Sequence, residues 1–271
     1  MDIVLVGITA LFDLVLKPFD YFPPWVGLAV ISAVAGIVML KLFGVFSNQE
    51  KIRKAKDQIK ASLLGIVLYR NDFRVMLRMQ GKMLVANVKY LAASLPSVIV
   101  LVIVCVPLLG QLNVRYGYRP LTVGEPFNLY VHVEDKKHIH DISLTTTGAI
   151  EAVTPALRIR DSGEVDWRLQ AGPAGRHTIE ISNAGHGYSK SVWVGDGQDR
   201  VEPLRTKSFF YALIYPGEKL LPSESKIESV EIRYPGADVN VFGFEMHWLW
   251  VFCVVSIASG LAFKRWLKVE I

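Results

Sequence analysis

From Trp25 to Phe46 the chain reads WVGLAVISAVAGIVMLKLFGVF, an apolar run holding one charge, Lys41. Coiled into a helix, these 22 residues rise about 33 Å at 1.5 Å each, enough to cross a hydrocarbon core of about 30 Å. Two further runs follow. PSVIVLVIVCVPLLGQL covers 96–112, with Pro96 at its head and Pro107 inside; WLWVFCVVSIASGLAF covers 248–263 and is closed by Lys264 and Arg265. The pattern predicts transmembrane spans at 25–46, 96–112 and 245–263. Of the 271 residues 20% are charged, below the soluble norm of about 25%. Even so, 30 Lys+Arg and 25 Asp+Glu are too many for a chain lying wholly in lipid. The charges must occupy separate compartments.

Within residues 1–24 the stretch from Met1 to Leu16 is also apolar, but it lacks the marks of a signal peptide. Asp2 stands where a basic region belongs, Asp13 interrupts the run, and no small-residue cleavage site precedes Lys17 and Pro18. An interfacial helix on one membrane face is the expectation, with a non-cleaved anchor as the alternative. Charge then sets the orientation. Residues 41–95 carry eleven bases and three acids, the 264–271 tail three and one, and 111–246 fifteen and eighteen. The positive-inside rule therefore places the 47–95 segment and the tail in the cytoplasm, with the N-terminus and the 113–244 segment outside. An integral protein of a prokaryotic plasma membrane fits this layout, and an endoplasmic reticulum location is the alternative. The net charge of +5 needs no nucleic-acid partner, and no nucleic-acid motif is present.

The basic segment 47–95 has helical periodicity. Ile52, Ala55, Ile59, Leu63 and Ile66 recur at steps of three and four, and after a turn at Arg70-Asn71-Asp72 a second stripe follows: Phe73, Leu77, Leu84, Val88, Leu91 and Leu95. Two antiparallel helices, joined along these stripes and running into the second span, are predicted. The segment 113–244 differs in kind. Stretches such as PFNLYVHV, VDWRLQAG and KSVWVGD alternate with Gly, Pro, Asn and Asp turns, the mark of an all-β, immunoglobulin-like sandwich. Trp167 and Trp193 are its candidate core anchors, and residues 201–230 read as less regular. The fold class is thus an α-helical membrane protein of three spans and a cytoplasmic helical hairpin, with an inserted all-β domain.

No motif for covalent catalysis, nucleotide binding or a cofactor is present, and Cys105 and Cys253 fall inside separate spans. If His138-Ile139-His140 formed a strand, its two imidazoles would share a face, with Asp141 and His132 near, but the flanking Asp135, Lys136 and Lys137 read as a polar hairpin turn, and no third metal ligand is placed by the sequence. The expectation is a protein that is not an enzyme. Polar groups at membrane depth are costly and so informative. Lys41 either lines a cytoplasm-facing groove or snorkels to the interface. Ala29/Ala33, Ser32/Gly36 and Ser256/Gly260 have the small-xxx-small spacing of close helix packing.

The order of parts, together with MLRMQGKM at 76–83, Tyr90-Leu91, Leu95-Pro96 and PLLGQL at 107–112, resembles the three-span core of the YidC/Oxa insertase superfamily. The likeness is closer to its branch containing subunit 3 of the endoplasmic reticulum membrane protein complex and the transmembrane coiled-coil proteins. It covers residues 1–112 and 245–271. The resemblance implies an insertase or insertion chaperone that offers a polar, cytoplasm-facing groove to hydrophobic client segments in a thinned bilayer. Groove-lining candidates are then Lys41, Ser32, Ser97, Ser256 and Ser259. Candidate contacts for clients or lipid are Lys51, Arg53, Lys54, Lys56, Lys60, Arg74, Arg78 and Lys82. Expected partners are membrane lipids, client segments and an extracytoplasmic protein bound by the sandwich; no cofactor is implied. The alternative is a structural subunit or receptor, anchored by three spans, that binds its partner through the sandwich.

Overall fold

The computed structural model describes residues 2–267 and 269, apart from 20, 70, 147, 184 and 196–199. Arg70 of the expected turn, Asp20 of the N-terminal stretch and residues 268, 270 and 271 of the expected tail lie outside the described residues. The helices are α1 (Asp2–Leu16), α2 (Pro24–Phe46), α3 (Gln49–Leu68), α4 (Phe73–Tyr116), α5 (Phe209–Ile214) and α6 (Trp248–Leu267). The chain divides into two compact units, one of residues 29–105 and 251–271, the other of residues 1–28 and 106–250. The division falls inside α2, α4 and α6, the three helices long and apolar enough to cross a membrane.

In the helical unit, local chemistry sets the ends of α3 and α4. The Asn48 side chain accepts the Lys51 N–H at 3.0 Å, satisfying one of the free donors at the head of α3. Asp72 does the same for α4, accepting from the N–H groups of Arg74 and Val75 at 3.0 and 3.2 Å. From there α4 runs 44 residues without interruption, about 66 Å and roughly twice a hydrocarbon core. It passes through Pro96 and Pro107, which have no N–H to give to the carbonyls of Ala92 and Ile103, and both Pro residues are tolerated inside it.

The helices α2 and α6 approach closely at small residues. The Ser259 hydroxyl donates to the Ala33 carbonyl of α2 at 3.1 Å, and a Cβ added at Gly36 would run into the Ser256 carbonyl oxygen and the Ser259 hydroxyl. Close approach at small residues is how apolar helices gain contact where lipid offers no hydrophobic driving force. Gly36→Val is therefore expected to force α2 from α6. The overpacking costs about 1–3 kcal/mol, and thermal unfolding of the full chain in detergent checks it: an unchanged midpoint would refute the contact.

The pairing of α3 with α4 departs from the sequence expectation. On α3 the buried positions are Ile52, Ala55 and Ser62, as the spacing predicts for the first two, but Leu63 is exposed. On α4 the leucine stripe is not the seam. Leu77, Leu84, Val88, Leu91 and Leu95 are all exposed, and the residues turned inward are Met76, Met79, Met83, Ala86, Tyr90, Ala93 and Ser97, at steps of three and four. Small and flexible side chains win this face because they let the helices close. Met79 lies against Gly65, Ala86 is fully buried, and the Asn48 N–H reaches the Ala93 carbonyl at 3.4 Å. These pairings make α3 and this part of α4 antiparallel.

In the second unit, β1 (Pro126–Val133), β2 (Ile142–Thr146), β3 (Ile150–Ala152), β4 (Leu157–Ile159), β5 (Glu164–Ala171), β6 (Gly175–Asn183), β7 (His186–Val194), β8 (Leu204–Thr206), β9 (Ile227–Ile232), β10 (Val239–Val241) and β11 (Phe244–Met246) form antiparallel sheets. One has the order β3-β5-β1-β9-β8, with β4 also on β5; a second has the order β2-β6-β7; β10 and β11 make a hairpin. Strict alternation builds the core: Phe127, Leu129, Val131 and Val133 of β1 point inward, meeting Val165, Trp167 and Leu169 of β5 and Ile179, Ile181, Val192 and Val194 of the second sheet. Trp167 is a core residue, and Trp193 packs on the core's edge beneath Arg176. The irregular stretch 201–230 holds β8 and α5. Residues Lys136–Asp141 form a 3-10 helix, not a strand, because Asp135 caps it by accepting the Lys137 N–H.

Candidate functional site

Among the described residues of the helical unit, a long exposed apolar surface lies on α4. With the Met/Ala/Ser face turned to α3, the opposite face presents Leu77, Leu84, Val88, Leu91 and Leu95 and continues without a break into Val98 and Val102 of the span, all exposed. The stripe is about 38 Å long at 1.5 Å per residue. Leu64, Val67, Leu68 and Phe73 extend it around the hairpin tip. A continuous apolar patch of this size marks a protein or membrane contact, not ordinary surface.

Beside it are two basic clefts. The larger, about 780 Å3, is lined by Phe46, Asn48, Lys51, Lys54, Ala55, Gln58, Lys89, Ala92, Ala93 and Pro96. The smaller, about 220 Å3, is lined by Lys56, Ile59, Lys60, Asn87 and Tyr90. The structure thus gathers Lys51 with Lys54, and Lys56 with Lys60, whereas Arg53, Arg74, Arg78 and Lys82 line neither cleft and are exposed. Lys54 pairs with Glu50 at 2.6 Å on the helix surface, which holds the Glu50 carboxyl below its usual range. Lys89 was not singled out by the sequence. A cation opposite Lys51 across an antiparallel pair could have been found only by fixing the helix register.

The groove candidates are not brought together. Lys41 is exposed on α2; Ser32 and Ser97 are buried within the helices, the Ser97 hydroxyl donating to the Ser94 carbonyl at 2.6 Å. Ser256 and Ser259 spend their hydroxyls on carbonyls of Cys253 and of Ser256 and Ala33. None of these five lines either cleft.

The second unit carries a charge network that sequence spacing gave no means of finding. Gln111 donates to Thr9 at 2.8 Å and, one turn on, Arg115 pairs with Asp13 at 2.8 Å, so α1 runs parallel to the last turns of α4. The other Asp13 oxygen takes Arg200 at 2.7 Å; Arg200 and Arg176 both hold Glu202, whose side chain is buried. Lys190 is fully buried, donating to the Glu202 carbonyl and to Glu218 at 2.6 Å, while Glu218 also accepts the Ser191 N–H at 2.7 Å. Its ammonium is thereby committed, and its neighbour Ser189 is engaged by Arg205 instead. At the lead into β1, Arg119 grips Glu125 through two hydrogen bonds, 2.8 and 3.0 Å, and with the Thr122 N–H and hydroxyl holds its carboxyl down to about 2.

His138 and His140 are spoken for. His138 lies 2.9 Å from Asp141 and 2.7 Å from Lys226, and His140 lies 3.0 Å from Arg160. Among the described residues no group of three or more His, Cys, Asp or Glu is placed to hold a metal ion. Compared with protein-family models, with curated proteins and with solved structures, the chain gives no match.

Proposed function

We propose that the chain is a membrane-protein insertase or insertion chaperone of the YidC/Oxa type. The observation that carries this reading is the bare leucine face of α4, which runs from the hairpin into the span as one apolar track. A hydrophobic client segment leaving water could lie along that track and enter lipid without its apolar side chains being re-exposed. Val98–Leu109 gives only twelve continuous apolar residues, about 18 Å of helix, and a span so short favours local thinning of the bilayer. In this reading the membrane is a prokaryotic plasma membrane, α3 and the first part of α4 are cytoplasmic, and the two sheets with their shared core form an extracytoplasmic, immunoglobulin-like sandwich that contacts a protein partner.

Photo-crosslinkers at Leu84, Leu91 and Val102, in the full chain and during synthesis of a hydrophobic membrane protein, are expected to capture the nascent segment, with one at Arg53 as the off-track control. Adducts to lipid and resident proteins alone would instead support an anchored structural subunit or receptor. One observation favours that second reading. On the outward face of β5, one carboxylate oxygen of Asp166 is buried with no hydrogen-bond partner, and burial, then repulsion from Glu164, raises its pKa. A group held in that condition suits a site completed by a partner.

A further inference from the structure

The larger cleft has the chemistry of a lipid site. We propose that it seats the phosphate of one anionic phospholipid, with the acyl chains passing out beside Phe46 and Pro96. The walls are of two kinds. At one end stand Phe46, the last residue of α2, and Pro96, at the head of the predicted second span; at the other stand Lys51, Lys54 and Lys89. Among the described residues no Asp or Glu lines the cleft. Lys54 is neutralised by Glu50, whereas Lys51 and Lys89 have no anionic partner among the described residues, leaving two ammonium groups over one cavity. A diester phosphate is the complement of that charge, and a cavity of about 780 Å3 is within the range of about 300–1,000 Å3 usual for small-molecule sites.

The position selects lipid over a free anion. A cavity whose apolar end sits where α2 finishes, at Phe46, and where the long apolar run inside α4 begins, at Pro96, lies at the headgroup level, where basic residues attract anionic lipid. Pro96 keeps this end open. Its ring carries no side chain that could reach across, and the neighbouring Ala92 and Ala93 are small. The inference needs the spans to lie in a membrane but not that the protein inserts clients, so the two can fail separately.

The test uses the full chain in an uncharged maltoside micelle, with retained lipid counted by native mass spectrometry. Dioctanoyl phosphatidylglycerol is expected to bind as one tight equivalent, at least tenfold tighter than dioctanoyl phosphatidylcholine. Lys51→Gln with Lys89→Gln should weaken it tenfold or more, whereas Arg74→Gln with Lys82→Gln, which removes the same charge outside the cleft, should change it less than twofold. Ala92→Trp fills the cavity without altering charge and should also weaken binding. Equal loss in both charge pairs, indifference to Ala92→Trp, no preference over phosphatidylcholine, or displacement by 10 mM inorganic phosphate would each overturn the proposal.

Discussion

Lys190→Met is expected to destabilise the sheet-bearing unit by about 3–5 kcal/mol, the range for removing one partner of a buried ion pair. The ammonium of Lys190 is fully buried and serves two acceptors, the Glu202 carbonyl and Glu218. Methionine matches the stem in length but leaves the Glu218 carboxylate, itself 9% exposed, without its cation. The Ser191 N–H still donates to Glu218 and so recovers only part of the loss. Adding Glu218→Gln removes the stranded charge while keeping an oxygen for Ser191, and the double variant should regain most of the stability. Denaturant unfolding of the full chain in micelles, followed through the fluorescence of buried Trp167, measures both. A loss under about 1 kcal/mol in Lys190→Met would show that this pair does not hold the unit together. So would a double variant no better than the single.

This pair also illustrates what a sequence conceals. Lys190 and Glu218 lie 28 positions apart, Asp13 and Arg200 187, and Thr9 and Gln111 102. No local period links residues so distant, and their charges read as surface until the fold joins them. Elements governed by local rules were legible. Lipid demands long apolar runs, and the three helices that meet that demand contain the three runs. Alternation marks β1, whose bounds coincide with PFNLYVHV. Turn chemistry gave the break at Asp72, but the seam of the hairpin was misread for a physical reason. Leucines at helical spacing announce burial without saying against what, and here the face that buries itself within the chain is the one made of Met, Ala and Ser. The polar flanks Asp135, Lys136 and Lys137 marked His138–His140 as turn-like, but not that Asp135 would cap a 3-10 helix there.

A triple replacement of Leu84, Val88 and Leu91 by asparagine is expected to separate function from folding. The three side chains are 64%, 65% and 65% exposed, so their loss should move stability by no more than about 0.5 kcal/mol each. Asparagine lowers helix propensity slightly, by about 0.5 kcal/mol per site, which fixes the expected ceiling on unfolding effects. If the leucine face is the path by which a client leaves water, three polar rungs in its middle interrupt about 10 Å of apolar track. Integration of a client into vesicles carrying the variant should then fall at least tenfold. The contrasting change, Ala86→Leu, strikes the packed seam, where Ala86 is fully buried. It should cost about 1–3 kcal/mol through overpacking and lower integration only as far as it unfolds the hairpin. Wild-type integration by the asparagine variant would remove the track from the mechanism. Loss of a co-purifying subunit, with integration intact, would instead assign the leucine face to a permanent partner helix, because an apolar stripe that is buried in an assembly carries no traffic.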